Sequence, residues 1–157
     1  MPGKPLRIIC TGRLKTPFFR AACEHYLTRL RHWRQVDYTE TRDGAASLPA
    51  EKRNREEARH ILKALAPQDI PLMLDEGGES LSSTELAALI RQMDTNASGR
   101  PCFIIGGAFG LTETLRAEAY RLVSLSRLTL PHELARVLLL EQLYRAESIL
   151  RNTPYHH

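Results

Sequence analysis

The sequence predicts an α/β fold in which helices flank a mainly parallel sheet. Short apolar runs alternate with helical patterns along all 157 residues. Runs such as PCFII (residues 101–105) lack polar alternation, which is typical of parallel strands covered on both faces. Three of these segments lead into loops, at residues 75–78, 106–110 and 124–131. Since ligands of such folds bind beyond the carboxyl ends of the strands, we expect the functional site among these loops.

Length and composition favour one domain, residues 1–157, in a reducing, cytoplasmic environment. The three cysteines are odd in number and lack CxxC spacing, so neither a disulfide framework nor a zinc site is expected. No segment approaches the roughly 20 apolar residues of a membrane helix, and residues 1–7 lack signal-peptide features. The net charge of +4 weakly favours an anionic partner.

The first half of the chain reads as strand, helix, strand, helix. LRIICTG (residues 6–12) is a buried strand that ends at a glycine. Thr16 and Pro17 have the pattern of a helix N-terminus, and helical spacing continues to about Trp33. Residues 35–42 alternate as a strand with one exposed side, and residues 43–67 begin as a loop and become a highly charged helix.

The second half repeats a strand, turn and helix pattern. Residues 70–78 form an apolar strand, and Ser82 and Glu85 then have capping-box spacing. Residues 101–110 run from a strand into a glycine-rich turn, after which Thr112 can cap a helix. Residues 122–130 are predicted to be extended, before a last helix that begins near Pro131.

The last helix is apolar over more than one side. A helix that serves one core needs only an apolar stripe, so a wider apolar surface indicates burial on two sides. We prefer homodimerisation to deep burial within one monomer as the explanation. The apolar positions are Leu134, Val137, Leu138, Leu139, Leu140, Leu143, Tyr144, Ala146, Ile149 and Leu150.

Individual motifs leave their chemistry open. GGAFG (residues 106–110) allows close backbone approach to a ligand, or forms only a tight turn; it is neither GxGxxG nor a P-loop. Asp75 and Glu76 are candidates for a base or ribose ligand, or form a solvated corner. His132 is a catalytic candidate, although histidines near helix starts often only cap or pack. No catalytic triad or metal-ligand spacing stands out.

The succession of motifs resembles one known family. IIGGAFGL, SLSRLTLPHELARVLLLEQLYRA and NTPYHH, together with LDEGG (residues 74–78), resemble the RlmH family of SPOUT methyltransferases over the whole chain. The resemblance implies methylation of N3 of a pseudouridine in large-subunit (23S) ribosomal RNA. It also implies a C-terminal deep trefoil knot, a homodimer, and S-adenosylmethionine as cofactor without a metal.

The resemblance further assigns two groups of residues. The implied cofactor site consists of Leu74, Gly106, Gly107, Leu125, Ser126, Arg127, Leu128, Thr129, Leu130 and Pro131. Candidates for the RNA end of the site are Arg145, Tyr155 and His156, with His132 next to them. Arginine can bind phosphate, aromatic rings can stack on an extruded base, and histidine can accept a proton near neutral pH. The sequence does not decide which residue is the base. Arg145 is expected to serve a site shared between subunits.

Two observations keep alternatives open. Many relatives have proline and glutamate where this chain has Ala108 and Phe109, so an idle ribosome-binding or assembly protein that retains the knot is one alternative. A small-molecule nucleotide-binding enzyme is another alternative. The absence of GxGxxG and of a P-loop lysine from the sequence counts against it.

The modest net charge favours recognition of an assembled ribosome over naked RNA. Arginines at 29, 31 and 34 and basic residues at 52, 53 and 55 either contact phosphates or are solubilising.

Overall fold

A computed structural model describes residues 3–95 and 98–157; Met1 and Pro2 of the segment tested for a signal peptide lie outside it. Within the described residues, the strands are β1 (Leu6–Thr11), β2 (Val36–Thr41), β3 (Asp69–Ser80), β4 (Arg100–Ile105) and β5 (Arg121–Ser124). The helices are α1 (Pro17–Arg31), α2 (Ala50–Ala64), α3 (Ser83–Thr95), α4 (Glu113–Ala117) and α5 (His132–Leu150). All strand pairs are parallel, in the order β2-β1-β4-β3-β5, which confirms the predicted α/β class.

Both faces of the sheet are covered, as the uninterrupted apolar runs predict. Successive side chains of a strand point to opposite faces, so Phe103 and Ile104 of β4 belong to different cores. The core with Phe103 is shared with α1, α3 and α5, whereas Ile104 packs with Ile61 of α2 and Leu115 of α4. Because α4 and α5 lie on opposite faces, the chain crosses from one face to the other between them.

Local capping signals are reproduced by the structure. Ser82 Oγ accepts a hydrogen bond from the Glu85 N–H at 3.2 Å, and Glu85 Oε2 accepts one from the Ser82 N–H at 2.7 Å. Thr112 Oγ1 caps α4 by accepting from the Leu115 N–H at 3.1 Å. Thr16 precedes α1 as predicted, but its side chain makes no capping hydrogen bond.

The prediction that residues 122–130 are extended is wrong beyond Ser124. The alternating leucines there line a cavity instead of pairing with a strand. The Ser124 hydroxyl donates to the Ser126 carbonyl at 2.8 Å, and the Leu128 N–H donates to Ser126 Oγ at 2.9 Å. These two local hydrogen bonds turn the chain into a loop that leads from β5 to α5.

Buried arginines join α5 to the rest of the fold. Arg136 is 1% exposed and donates to the Thr11 and Gly12 carbonyls at 2.5 and 2.7 Å and to Glu40 at 2.7 Å. Arg34, which follows α1, donates to Glu147 of α5 at 2.6 Å. Sequence reasoning did not predict these contacts, because charged residues in a helix are usually solvated.

Candidate functional site

A cavity of about 980 Å³ lies where residues 74–77 of β3 meet the loops after β4 and β5. The loop expected at residues 75–78 is part of β3 instead, at a register shift in its pairing with β5. It occupies the carboxyl ends of the strands, where the sequence predicted a ligand site. Of the ten residues assigned to the cofactor, only Arg127 does not line it. The lining ones are Leu74, Gly106, Gly107, Leu125, Ser126, Leu128, Thr129, Leu130 and Pro131. The structure therefore brings together residues from β3 and from the loops after β4 and β5, and we call this space the loop cavity.

The glycine turn is both a tight turn and a wall of the loop cavity. The Gly110 N–H donates to the Gly107 carbonyl at 3.1 Å, and Gly110 has a φ of +76°, which disfavours a side chain. A Cβ at Gly107 would meet the Glu57 carboxylate well inside contact distance. GGAFG is therefore a tight turn that needs glycine for its conformation and that lines the cavity; close approach of its backbone to a ligand stays a prediction.

Glu57 of α2 supports this turn from behind and was missed by sequence reasoning. Its side chain is 3% exposed. Oε1 accepts from the Gly44 N–H at 3.1 Å and from Arg53 Nε at 3.4 Å, whereas Oε2 has no hydrogen-bond partner among the described residues. The only sequence signal was its place beside the apolar stripe of α2, next to Ala58.

Asp75 is held by two partners at the edge of the loop cavity. Its Oδ1 lies 2.9 Å from Arg116 Nη2, and its Oδ2 accepts from the Gly77 N–H at 3.0 Å. Glu76 is exposed beside it. Because both Asp75 oxygens are engaged, this residue is better placed to shape the cavity and its charge than to act as a base.

His132 begins α5 and lines the loop cavity. Burial lowers the pKa of this imidazole below its ordinary 6.5, and the nearby Arg136 charge lowers it further. The imidazole is therefore neutral at pH 7 and carries a lone pair that can accept a proton.

The other candidates form a separate group, the tail cluster, which consists of Arg145, Tyr155, His156 and Glu141. Arg145 donates to Glu141 Oε1 at 2.7 and 3.0 Å, and the Tyr155 hydroxyl donates to the same oxygen at 3.0 Å. Arg145 Nη1 lies 3.4 Å from His156 Nδ1, and its guanidinium lies over the Tyr155 ring at 4.8 Å. Glu141 joins these groups and was missed by sequence reasoning, because it reads as an ordinary helix-surface carboxylate.

Tyr155 stays protonated at neutral pH in this arrangement. Burial raises the pKa of its phenol to about 12, and its hydrogen bond to Glu141 adds to the shift. The tail cluster therefore presents a neutral aromatic hydroxyl and an arginine side by side.

The loop cavity and the tail cluster lie apart within one chain. Arg145 follows His132 by 13 residues along α5, which corresponds to about 20 Å. Neither Arg145, Tyr155 nor His156 lines the loop cavity. One chain thus brings the predicted cofactor residues together with His132, but does not bring the three tail residues to them.

Comparison with known proteins identifies the family. A family model described as "Predicted SPOUT methyltransferase" matches residues 5–156. The chain belongs to the SPOUT methyltransferase family. SPOUT relatives match it over its whole length: a protein from Desulfovibrio desulfuricans is 60% identical and one from Lawsonia intracellularis 52%, with 100% of each chain covered. Both are named ribosomal RNA large subunit methyltransferase H, which confirms the resemblance to the RlmH family.

Two solved structures have a similar fold. A probable methyltransferase from Bordetella pertussis has a TM-score of 0.61 at 16% identity, covering 92% of this chain and 95% of its own. A probable rRNA-methyltransferase from Porphyromonas gingivalis has a TM-score of 0.58 at 13% identity, covering 96% and 71%. With the family match, they confirm the knotted α/β fold of SPOUT proteins.

Neither a metal-binding cluster nor a membrane-spanning helix occurs in the part of the chain that the structure describes. In residues 3–95 and 98–157, no group of three or more histidine, cysteine, aspartate or glutamate side chains is placed to hold a metal ion. No helix in the same part of the chain combines the length and apolarity needed to span a bilayer.

Proposed function

We propose that this chain is an S-adenosylmethionine-dependent methyltransferase that acts in the cytoplasm on N3 of a pseudouridine in 23S ribosomal RNA. Its substrate is the large-subunit RNA within an assembled ribosome, and it works as a homodimer. The observation that carries the proposal is identity of 60% and 52%, over full length, to proteins named ribosomal RNA large subunit methyltransferase H.

The residues of the loop cavity fit the proposed cofactor. The cavity volume lies near the upper end of the range, about 300 to 1,000 Å³, of small-molecule sites. Leu74, Leu125 and Leu130 offer an apolar wall for an adenine ring, and the glycine turn allows close approach of main-chain groups. Asp75 and Glu76 place carboxylates at the same cavity, which suits a cationic sulfonium. When bound, the cofactor supplies an electrophilic methyl group on a positively charged sulfur.

The tail cluster is suited to hold the target base. The Tyr155 ring offers a stacking surface, and Arg145 offers a fixed guanidinium for a base carbonyl or a phosphate. Glu141 binds both side chains, so their orientation is set before the RNA arrives. Such preorganisation supports a reaction in which positioning of the nucleophile contributes most of the acceleration.

A proton must leave N3 as the new nitrogen–carbon bond forms, and two histidines are candidates to accept it. His156 Nδ1 faces Arg145, which can only donate, so a neutral His156 carries its proton on Nε2 and has no second acceptor. His132 is neutral at pH 7 and faces the loop cavity. These observations support His132 as the proton acceptor and His156 as a residue that holds the base.

A second subunit would bring the two groups together. The separation of about 20 Å along α5 is too long for one protomer's tail cluster to reach its own loop cavity without rearrangement. Leu134 on α5 is 37% exposed and Leu128 before it is 74% exposed. An apolar surface of this kind next to a site is suited to a symmetric interface. The proposed dimer pairs the loop cavity of one subunit with the tail cluster of its partner.

Methyl transfer to ribosomes tests the proposal. The protein is incubated with methyl-labelled adenosylmethionine and ribosomes from a strain that lacks the modification. We expect label in one nucleotide of 23S RNA, which nuclease digestion and mass spectrometry identify as N3-methylpseudouridine. Label at another position or atom would refute the assigned specificity, and no label in the RNA would refute the enzyme.

Calorimetric titration with adenosylmethionine separates the enzyme from an idle ribosome-binding protein. The enzyme binds the cofactor stoichiometrically, whereas a protein that has lost the site through Ala108 and Phe109 does not. Main-chain groups of the glycine turn do not depend on those two side chains, so we expect binding.

A further inference from the structure

A second groove lies between α2 and α4, on the face of the sheet opposite α5. Its volume is about 430 Å³, and Lys52, Arg55 and Arg59 of α2 line one side of it. The Thr112 and Thr114 side chains line it from the other side. We call it the α2 groove. None of the residues in this groove belongs to the cofactor or tail residues assigned above.

The three cations form one stripe along α2. Positions 52, 55 and 59 are spaced by three and four residues, so they share a helix face over about 10 Å. All three side chains are exposed. Arg55 lies 3.9 Å from Glu51, but both groups are solvated, so this pair holds the arginine only weakly. Glu56 is the one carboxylate among the residues that line the groove, which leaves an excess of positive charge.

Threonine hydroxyls face this stripe. Thr112 Oγ1 accepts the capping hydrogen bond from Leu115, so its own proton is available to donate. Arginine and lysine side chains and threonine hydroxyl groups are among the donors that proteins use to contact nucleic-acid phosphates. The groove therefore combines cations and hydroxyls on opposite sides of a channel open to solvent.

The α2 groove adjoins the loop cavity through the chain itself. Gly110 lines the cavity and Thr112 lines the groove, and only Leu111 lies between them in the chain. Their Cα atoms are therefore at most about 7 Å apart. A strand whose target nucleotide reaches the cavity has its neighbouring phosphates within reach of α2, since one strand of a duplex carries a phosphate every ~3.4 Å along its axis.

We propose that the α2 groove binds the phosphodiester backbone of the ribosomal RNA that flanks the target nucleotide. This inference rests on the proposed function, because it takes large-subunit RNA as the substrate. It assigns Lys52, Arg55 and Arg59 to docking, separate from the chemistry at the loop cavity and the tail cluster. Docking of this kind fixes the register of the RNA without reading its sequence.

The test compares two triple variants with the unaltered protein. K52Q/R55Q/R59Q removes the stripe, and R13Q/R20Q/R91Q removes three other exposed cations that lie outside α2 and line neither the loop cavity nor the α2 groove. Both triples change the net charge equally. For each protein, methyl transfer to unmodified large-subunit particles gives kcat and KM, and binding to the same particles is followed from low to high salt. Cofactor affinity is measured by calorimetry and folding by thermal melting.

We expect the stripe variant to raise KM for the particles by about tenfold, with kcat at saturation and cofactor affinity unchanged. For the stripe variant, the slope of log affinity against log salt concentration should be smaller in magnitude by about 2 to 3, because each lost cation removes one phosphate contact. The matched triple should change both quantities much less.

Three results would overturn the inference while the proposed function stands. They are an unchanged KM in the stripe variant, equal losses in the two triples, and a loss of binding to particles without a loss on protein-free 23S RNA. The last would mean that the groove docks on a ribosomal protein. If the unaltered protein transfers no methyl group to the particles, the proposed function fails first and this inference fails with it.

Discussion

At the scale of single residues, the glycine turn depends on a carboxylate from another element. Gly107 leaves the space that Glu57 Oε2 occupies, and Glu57 is buried and bonded to the Gly44 N–H. A methyl group at position 107 would have to displace either this carboxylate or the turn. The wall of the loop cavity is therefore set jointly by β4 and α2.

Gly107→Ala should weaken adenosylmethionine binding about tenfold or more, roughly 1.4 kcal/mol, as measured by calorimetry. Gly77→Ala is the matched control, because a Cβ there would meet only the Asp75 carboxylate, at 3.2 Å. In a double-mutant cycle, Glu57→Ala should relieve part of the Gly107→Ala loss. Strictly additive losses would mean that the clash with Glu57 is not the cause.

Variants of His132 and His156 should differ in how methyl-transfer activity depends on pH. His132→Gln should reduce kcat by about 100-fold or more and leave cofactor affinity near normal. Because the pKa of His132 is lowered below 6.5, protonation should reduce kcat of the unaltered enzyme only at more acidic pH, with no loss from this group between pH 7 and 8. His132→Gln should lack this acidic decline.

His156→Ala should also reduce transfer strongly, to a small residual rate, with cofactor affinity near normal, because it removes a group that holds the base. The residual activity of this variant should keep the acidic decline that His132 causes. If the decline disappears in His156→Ala and persists in His132→Gln, then His156 accepts the proton instead. Loss of cofactor affinity in His156→Ala would show that the tail binds the cofactor.

At the scale of elements, α5 is held by polar contacts as well as apolar ones. Leu139, Leu140 and Leu143 are buried in the core, and the Arg136 guanidinium reaches the end of β1 on the same side of the sheet. Val137 and Leu138 are only partly buried. The helix thus packs against the monomer core over much of its surface, and Leu134 stays exposed on it.

Arg136→Met should destabilise the protein by about 3 kcal/mol, since Glu40 and two buried carbonyls lose their donor. Urea denaturation at fixed protein concentration measures the loss. Arg91→Met, at an exposed position of α3, is the control and should change stability by less than about 0.5 kcal/mol. A loss in Arg136→Met no larger than in the control would show that the buried network contributes nothing net.

Helices and strands could be predicted from the sequence where a few neighbouring residues determine them. The capping box at Ser82 and the cap at Thr112 act over three residues, and the apolar runs of β1 and β4 reflect burial on both faces. The segment after Ser124 was mistaken for strand, because alternating leucines that line a cavity have the same pattern as a strand. Hydrophobic periodicity indicates which side of a segment is apolar, but it does not indicate what packs against that side.

The loops that form the cavity were predictable, and the residues that support them were not. The chain order revealed loops after the strand ends of β4 and β5, and family resemblance assigned both the proposed cofactor residues and the tail. Glu57, Arg136 and Glu141 act through partners from other elements or through side-chain packing, and their sequence context is that of solvated helix surface. The knot likewise depends on the path of the whole chain, which spacing does not encode.

At the scale of the whole molecule, each proposed active site requires residues from two subunits. The loop cavity holds the cofactor residues and His132, and the tail cluster lies about 20 Å further along the same helix. In the proposed symmetric dimer each cavity would meet the partner's tail, so two complete sites would form from two incomplete chains. Dimer formation and activity should therefore be lost together on dilution.

Activity of a purified heterodimer tests this claim most directly. One subunit carries Ala135→Trp, which fills the loop cavity, and the other carries His156→Ala, which disables the tail cluster. Each homodimer should be inactive, because every site in it is damaged. The heterodimer, isolated through two different affinity tags, combines one intact cavity with one intact tail and should show about half the methyl-transfer activity of the unaltered dimer. A stable heterodimer without activity would contradict the shared site and place each tail in the site of its own subunit.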